Sequence, residues 1–378
     1  MNRVRPPHPG MEDLVAYDVK DVRADVMLHA NENPHNLPGE LLDKLAERVR
    51  NQIDFNRYPD PMTPKLRALV AEANGLEPSN VLVGNGGDEI IMNVVLAWGG
   101  HGRTLVDMPP TFAMYGIDAR VTGTSVIEVP RGPEFEIDRD AVLKVLANSD
   151  PDIVVVANPN NPTGTIADER VLLEILEATD ALVLVDEAYF EFSRTTMRPH
   201  MDRHPNLAIL RTLSKAFSFA ALRCGYLLAN EHVISELTKV RQPYSVNRFT
   251  QMAATLAYRD RMVFEAGVRE TMRVRDRLAH GLDALTGVEV FPSEANFVLF
   301  KVEHASAVWR DLLHNHSILI RDVSRTPGLE DCLRVTVGTE DEIERFLKAM
   351  DEITASQRAS SLFGVNATAR RHQFKDGE

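Results

Sequence analysis

The chain has 378 residues, 44% of them apolar and 26% charged, with a formal net charge of −13. That length suits one large domain with a smaller one, and the acidity argues against a nucleic-acid or anionic-membrane surface. Cys224 and Cys332 are too few for a disulfide framework, so a reducing, cytoplasmic setting is expected. No run reaches the roughly 20 apolar residues of a membrane span, and Met1–Gly10 has no apolar core behind its charge, so no signal peptide is read.

In chain order, Val81–Val83 reads as a strand, Gly84–Asp88 as a glycine loop and Glu89–Trp98 as a helix. Further strand-like runs follow at Thr104–Asp107, Ser125–Val129, Ile153–Ala157, Ala181–Asp186, Leu207–Arg211 and Gly225–Ala229, alternating with helical patterns. Such alternation predicts an α/β fold with a mostly parallel sheet covered on both faces, and ligand-bearing residues at the strand ends. The periodic stretch Thr250–Leu285 predicts one long helix joining two domains. Beyond it, Asn296–Val302, Ser317–Arg321 and Cys332–Val337 predict a small α+β domain. His200 and His204 are four apart but bracketed by prolines, and no metal site is predicted.

Three islands carry chemistry: Asn158–Gly164 (Asn-Pro-Asn-Asn-Pro-Thr-Gly), Val185–Tyr189 (Val-Asp-Glu-Ala-Tyr) and Arg211–Phe217 (Arg-Thr-Leu-Ser-Lys-Ala-Phe), the last followed by Arg223. Taken singly they are a turn, a helix cap and a solvated lysine. Taken together and in this order they describe a pocket for pyridoxal phosphate (PLP), a phosphorylated aromatic aldehyde. Lys215, delivered by a buried strand, is an amine that can condense with the aldehyde. Asp186, at the end of another apolar strand, is the carboxylate that keeps a pyridine nitrogen protonated. Tyr189 and Asn161 are the hydrogen-bond partners for the phenolic oxygen. Gly86, Gly87 and Asp88 at a helix N-terminus form a phosphate seat, to which Thr212 and Ser214 add hydroxyls and Arg223 a bidentate cation.

These motifs resemble the fold-type I PLP-dependent aminotransferases, class I/II, and among them the histidinol-phosphate aminotransferases. The narrower resemblance rests on Leu28–Pro34, Arg57–Asp60, Gly86–Glu89, Pro110–Phe112, Ile320–Asp322 and Leu333–Gly338, and spans roughly positions 10 to 350. It implies a large PLP-binding domain (38–275) with a seven-stranded-type sheet and a small C-terminal domain (276–356). It also implies an N-terminal arm (1–37) packing with the small domain, while residues 357–378, after the final amphipathic pattern, are expected to trail as a mobile tail. It implies that Lys215, Asp186 and Tyr189 are catalytic and that Phe112 stacks on the cofactor ring. Arg334, Arg321, Asn33 and Tyr17 then bind substrate. It implies a homodimer in which Tyr58 reaches the partner's cofactor phosphate. The substrates would be a small-molecule amino donor and a 2-oxo acid: histidinol phosphate with 2-oxoglutarate, giving imidazole-acetol phosphate and glutamate in histidine biosynthesis.

Three departures stand out: His29 for the usual asparagine, Gly87 for alanine or serine, and Phe112 for tyrosine. The segment between Tyr17 and Leu28 is also short. The competing readings are an aromatic-amino-acid aminotransferase, a threonine-phosphate decarboxylase and, from another class, a non-enzymatic PLP sensor module. A dinucleotide dehydrogenase is disfavoured because the glycines at 84, 86 and 87 do not complete GxGxxG.

Overall fold

The computed structural model describes residues 22–372, with side chains to residue 358. Two sheets organise the chain. The strands are β1 (Val26–Leu28), β2 (Val81–Gly84), β3 (Thr104–Asp107), β4 (Ser125–Glu128), β5 (Ile153–Ala157), β6 (Leu182–Asp186), β7 (Leu207–Thr212), β8 (Gly225–Ala229), β9 (Val288–Val290), β10 (Phe297–Val302), β11 (Ile318–Asp322) and β12 (Cys332–Thr336).

The large sheet has the order β2-β8-β7-β6-β5-β3-β4, with only β8 running against the rest. Its central strands are buried at every position. This is why they read as largely apolar runs rather than alternating ones, as expected where helices cover both faces. Alternate residues feed two different cores. Val154, Val156, Val183, Val185 and Ile209 enter one apolar layer, and Ile153, Val155, Leu182, Leu184 and Leu210 enter the other. β4, at the edge, has exposed ends.

The small sheet has the order β1-β11-β12-β10-β9. The N-terminal segment joins it through β1, which pairs parallel to β11. Val26, Leu28, Phe300, Ile320 and Phe346 share its core. Neither β1 nor β9, each three residues long, is visible as a periodic run.

Two predicted spans differ in the structure. The helix expected over Thr250–Leu285 is two helices, Arg248–Arg259 and Glu265–Asp283, separated by a tight turn at Arg261–Phe264. The break lets Phe264 turn into the core while the Asp260 carboxylate meets Lys44 at 3.2 Å. The second of these helices contributes Val268 to an apolar core under the large sheet and Val274, Leu278 and Leu282 to that of the small sheet. The helix expected from Glu89 begins at Gly86, so Gly86, Gly87 and Asp88 form its first turn. The last helix runs from Glu340 to His372, through much of the segment expected to trail.

Candidate active site

The ends of β5, β6 and β7, the first turn of helix Gly86–Trp98 and the small domain's β11 and β12 enclose a cavity of about 380 Å³. Its lining includes Lys215, Asp186, Tyr189, Phe112, Asn161, Arg321 and Arg334. Sites in open α/β sheets lie at such strand ends because the connecting loops converge there.

Asp186 ends β6 and is buried. Its Oδ2 accepts a hydrogen bond from the Tyr115 hydroxyl at 2.6 Å and its Oδ1 accepts from the Ala188 N–H at 2.9 Å. Burial pushes its carboxyl up to about 6, and those two donors hold it back from rising further. Behind it, the carboxylate of Glu187 is fully buried and paired with Arg211 at 2.8 Å. It also takes the Met197 N–H and the Thr196 hydroxyl. This pair locks the end of β6 to β7.

Lys215 lies just past β7, and its Nζ donates to the Ala30 carbonyl at 3.3 Å. Burial lowers its amine to about 8, with Arg334 pushing the same way. A substantial neutral fraction, about one in ten at pH 7, follows from such a value. Tyr189 accepts a hydrogen bond from the Asn31 amide at 2.9 Å, and burial pushes its phenol up to about 12. The carbonyl end of Asn161 is taken by Arg334 Nη1 at 2.6 Å, so its amide end is what it can offer a ligand.

The anion seat predicted around Gly86 is built closely. Gly86 has φ +84°, a conformation that strains any L side chain, so the position favours glycine, and the mobile tip of Arg223 packs over the space a Cβ would take. Arg223 pairs with Asp88 at 2.7 Å and reaches the Ser214 hydroxyl at 3.4 Å. Thr212 donates to Ser214 at 3.0 Å. Gly87, Asp88, Thr212, Ser214 and Arg223 all line the cavity.

Not every predicted residue is in the cavity. Asn33 does not line it, because its amide donates to the carbonyls of Lys215 and Ala216 and so braces the lysine loop instead. Asn31 lines the cavity two residues earlier, held by Thr336. Tyr58 is 78% exposed and stacks on Tyr244 with ring centroids 4.8 Å apart, away from this chain's own cavity. Tyr17 lies outside the described residues. Tyr115, Asn31 and His29 line the cavity without having been singled out as site residues. Tyr115 packs edge-on against Phe112, three residues before it.

The aminotransferase class I and II family profile matches residues 24–350. The chain belongs to that family. It is 39% identical over 354 residues to histidinol-phosphate aminotransferase 1 of Carboxydothermus hydrogenoformans, covering 93% of this chain and 100% of that protein. The crystal structure of the Sinorhizobium meliloti histidinol-phosphate aminotransferase in complex with pyridoxal-5'-phosphate superposes with a TM-score of 0.81 at 23% identity, covering 89% of this chain and 92% of that one. The L-threonine-O-3-phosphate decarboxylase of Porphyromonas gingivalis superposes with a TM-score of 0.76 at 25% identity, covering 87% and 99%. The fold of this aminotransferase is therefore the fold-type I arrangement expected from its motifs. Its cavity also fits the family's cofactor by its own chemistry. It offers a buried carboxylate at one strand end, an amine shifted toward neutrality at the next, and a glycine-walled cradle under Arg223.

Proposed function

We propose that this aminotransferase exchanges the amino group of histidinol phosphate with 2-oxoglutarate, using PLP, as a cytoplasmic homodimer. The observation that carries the reading is that the Lys215 amine, the Asp186 carboxylate and the Arg321–Arg334 pair open into one cavity. The relatives named histidinol-phosphate aminotransferase support the choice of substrate.

The phosphate of PLP would sit on Gly86, Gly87, Asp88, Thr212, Ser214 and Arg223. Asp186 would face its ring nitrogen, Tyr189 and Asn161 its phenolic oxygen, and Phe112 its ring face. When bound, the cofactor supplies an electron sink for the pair left when a C–H bond beside the substrate nitrogen breaks. Lys215, with its lowered amine, takes that proton and returns it on the other side of the exchange. Tyr115 and the Ala188 N–H keep the Asp186 carboxylate ionised and aimed. Arg334 and Arg321 grip the substrate's far anion, since guanidinium matches both phosphate and carboxylate. Tyr58, exposed and stacked on Tyr244, is offered to the second subunit's cofactor phosphate. The buried, unpaired cysteines Cys224 and Cys332 suit a reducing cytoplasm.

The test is a half-reaction. Histidinol phosphate mixed with the loaded enzyme converts the cofactor's absorbance to that of its amine form, and 2-oxoglutarate converts it back. Carbon dioxide from threonine phosphate, with no need for 2-oxoglutarate, would replace this reading with the decarboxylase.

A further inference from the structure

His29 follows β1 by one residue. β1 sets Leu28 opposite Ile320 on β11, and β11 sets Arg321 opposite Arg334 on β12. The next step of that register brings His29, Arg321 and Arg334 into a row across three adjacent chain segments, and all three line the cavity. The Nδ1 of His29 is enclosed and has no hydrogen-bond partner among the described residues. Buried polar atoms ordinarily have one. Its carbonyl receives Arg334 Nη2 at 2.7 Å, which ties ring and guanidinium to the same point of the chain.

The two arginines are permanent cations. The far anion they grip would alternate between a phosphate monoester, doubly charged above about pH 6, and a singly charged carboxylate. A fixed pair of charges cannot match both, whereas a titratable neighbour can. Resting on the substrate reading above, we propose that His29 is a specificity-determining third contact of this anion seat. It hydrogen-bonds the phosphate monoester through Nε2, the ring nitrogen that is not enclosed, and holds a proton while that dianion is bound.

Without an anion, burial holds the imidazole below the ordinary histidine range. Glu32 opposes this, and Arg321 and Arg334 add to it. The other charged groups lining the cavity are Asp88, Asp186, Lys215 and Arg223, and Lys215 reaches the carbonyl of the neighbouring Ala30. An arriving dianion reverses the balance, because opposite charge favours the protonated ring. Phosphate-ester binding therefore takes up a proton, and carboxylate binding takes up less.

Titration calorimetry of the cofactor-loaded enzyme with methyl phosphate or propionate, in buffers of different ionisation heat at about pH 7.5, tests this. The wild type takes up a proton with methyl phosphate. In His29→Asn that uptake disappears and affinity falls about tenfold or more, with a smaller loss for propionate. His29→Gln, with a longer amide, recovers part of the affinity but not the uptake. Unchanged affinity and proton count in both variants would overturn the proposal, as would uptake that persists without the imidazole. Methyl phosphate carries no amine, so the result is independent of turnover. A wild type that binds it with His29-dependent uptake yet ignores histidinol phosphate loses the substrate reading alone. A wild type that consumes histidinol phosphate, with both variants unaffected, loses this inference alone.

Discussion

Arg321 and Arg334 stand directly opposite each other across the antiparallel pair β11–β12, so their side chains leave the sheet on the same face. They are not equivalent there. Arg334 is buried, bonded to Asn161 and to the His29 carbonyl, and lies over the Phe297 ring at 5.2 Å, whereas Arg321 is only part-buried. Arg334→Ala should therefore weaken both half-reactions, and Arg321→Ala should weaken the histidinol-phosphate one more than the glutamate one. A lost charge-assisted contact is worth about 1.5–3 kcal/mol, or one to two decades in apparent affinity. Single-turnover kinetics with each amine distinguish the two, and equal losses on Arg321→Ala would remove it from the phosphate.

Lys215→Ala keeps the whole anion seat but has no amine, so it should retain cofactor non-covalently and turn over at a residual level. Borohydride treatment of the wild type should leave the cofactor on the peptide containing Lys215. Because the neutral amine is the reactive form and its value lies at about 8, the rate at which the cofactor-free protein takes up PLP should rise with pH and level off above about 8. Label on another lysine would displace Lys215 from its role.

Asp186 couples function to stability. Its carboxyl, raised to about 6 from an ordinary 3.8 by burial, makes the folded cofactor-free protein bind more protons than the unfolded chain between those values. Stability of that form should fall as pH rises through this window, by about 3 kcal/mol in all for a shift of this size. Asp186→Asn removes the charge, so the cofactor-free variant should be more stable than wild type above pH 6 while losing turnover by orders of magnitude. Tyr115→Phe should do the reverse: without its donor the carboxyl rises further, and the acid limb of cofactor binding should move up by about one pH unit. Denaturant titrations across pH check the first, and cofactor retention against pH checks the second.

The central strands of the large sheet were legible because they are covered on both faces, as the all-apolar run Ile153–Ala157 illustrates. The side chains proposed to face the cofactor were read from the strands they follow, Asp186 at the end of β6 and Lys215 just past β7. What the chain hides is what depends on distant pairing. β1 is three residues long and exists only against β11, so the placing of His29 beside Arg321 could not be seen. Nothing local marks Tyr115 as the donor to a carboxylate 71 positions away. The break at Asp260 carries no Gly or Pro; it coincides with the burial of Phe264 and the contact of Asp260 with Lys44, which only the folded chain shows. Asn31 and Asn33 differ by two positions and are chemically identical, so only the structure tells which one faces the cavity.

The Glu187–Arg211 pair predicts a purely structural phenotype. Both side chains are buried, and Arg211 also lies over the Phe190 ring at 3.6 Å and bonds Asn74 and Thr196. Removing one partner strands a buried charge, which costs about 3–5 kcal/mol. Arg211→Met and Glu187→Gln should each lower the unfolding midpoint markedly. The double variant should recover part of the loss, and a thermal double-mutant cycle would show it. Independent, additive losses would mean that the two groups do not act as a pair.

Tyr58 carries the test of assembly. It lies at the surface stacked on Tyr244, too exposed to serve its own chain's cavity. If it completes the partner's site, Tyr58→Ala and Lys215→Ala should each be nearly inactive alone. Mixed in equal amounts and allowed to exchange subunits, they should regain activity, because a hybrid dimer has one site with both residues intact. Random pairing makes half the dimers hybrids with one good site of two, so recovery should approach about a quarter of the wild-type rate, following the symmetry of a two-fold interface. Activity should also fall on dilution as the dimer separates. A mixture no more active than its components, or a monomer with full activity, would place Tyr58 outside the catalytic machinery and leave it a stacked surface ring.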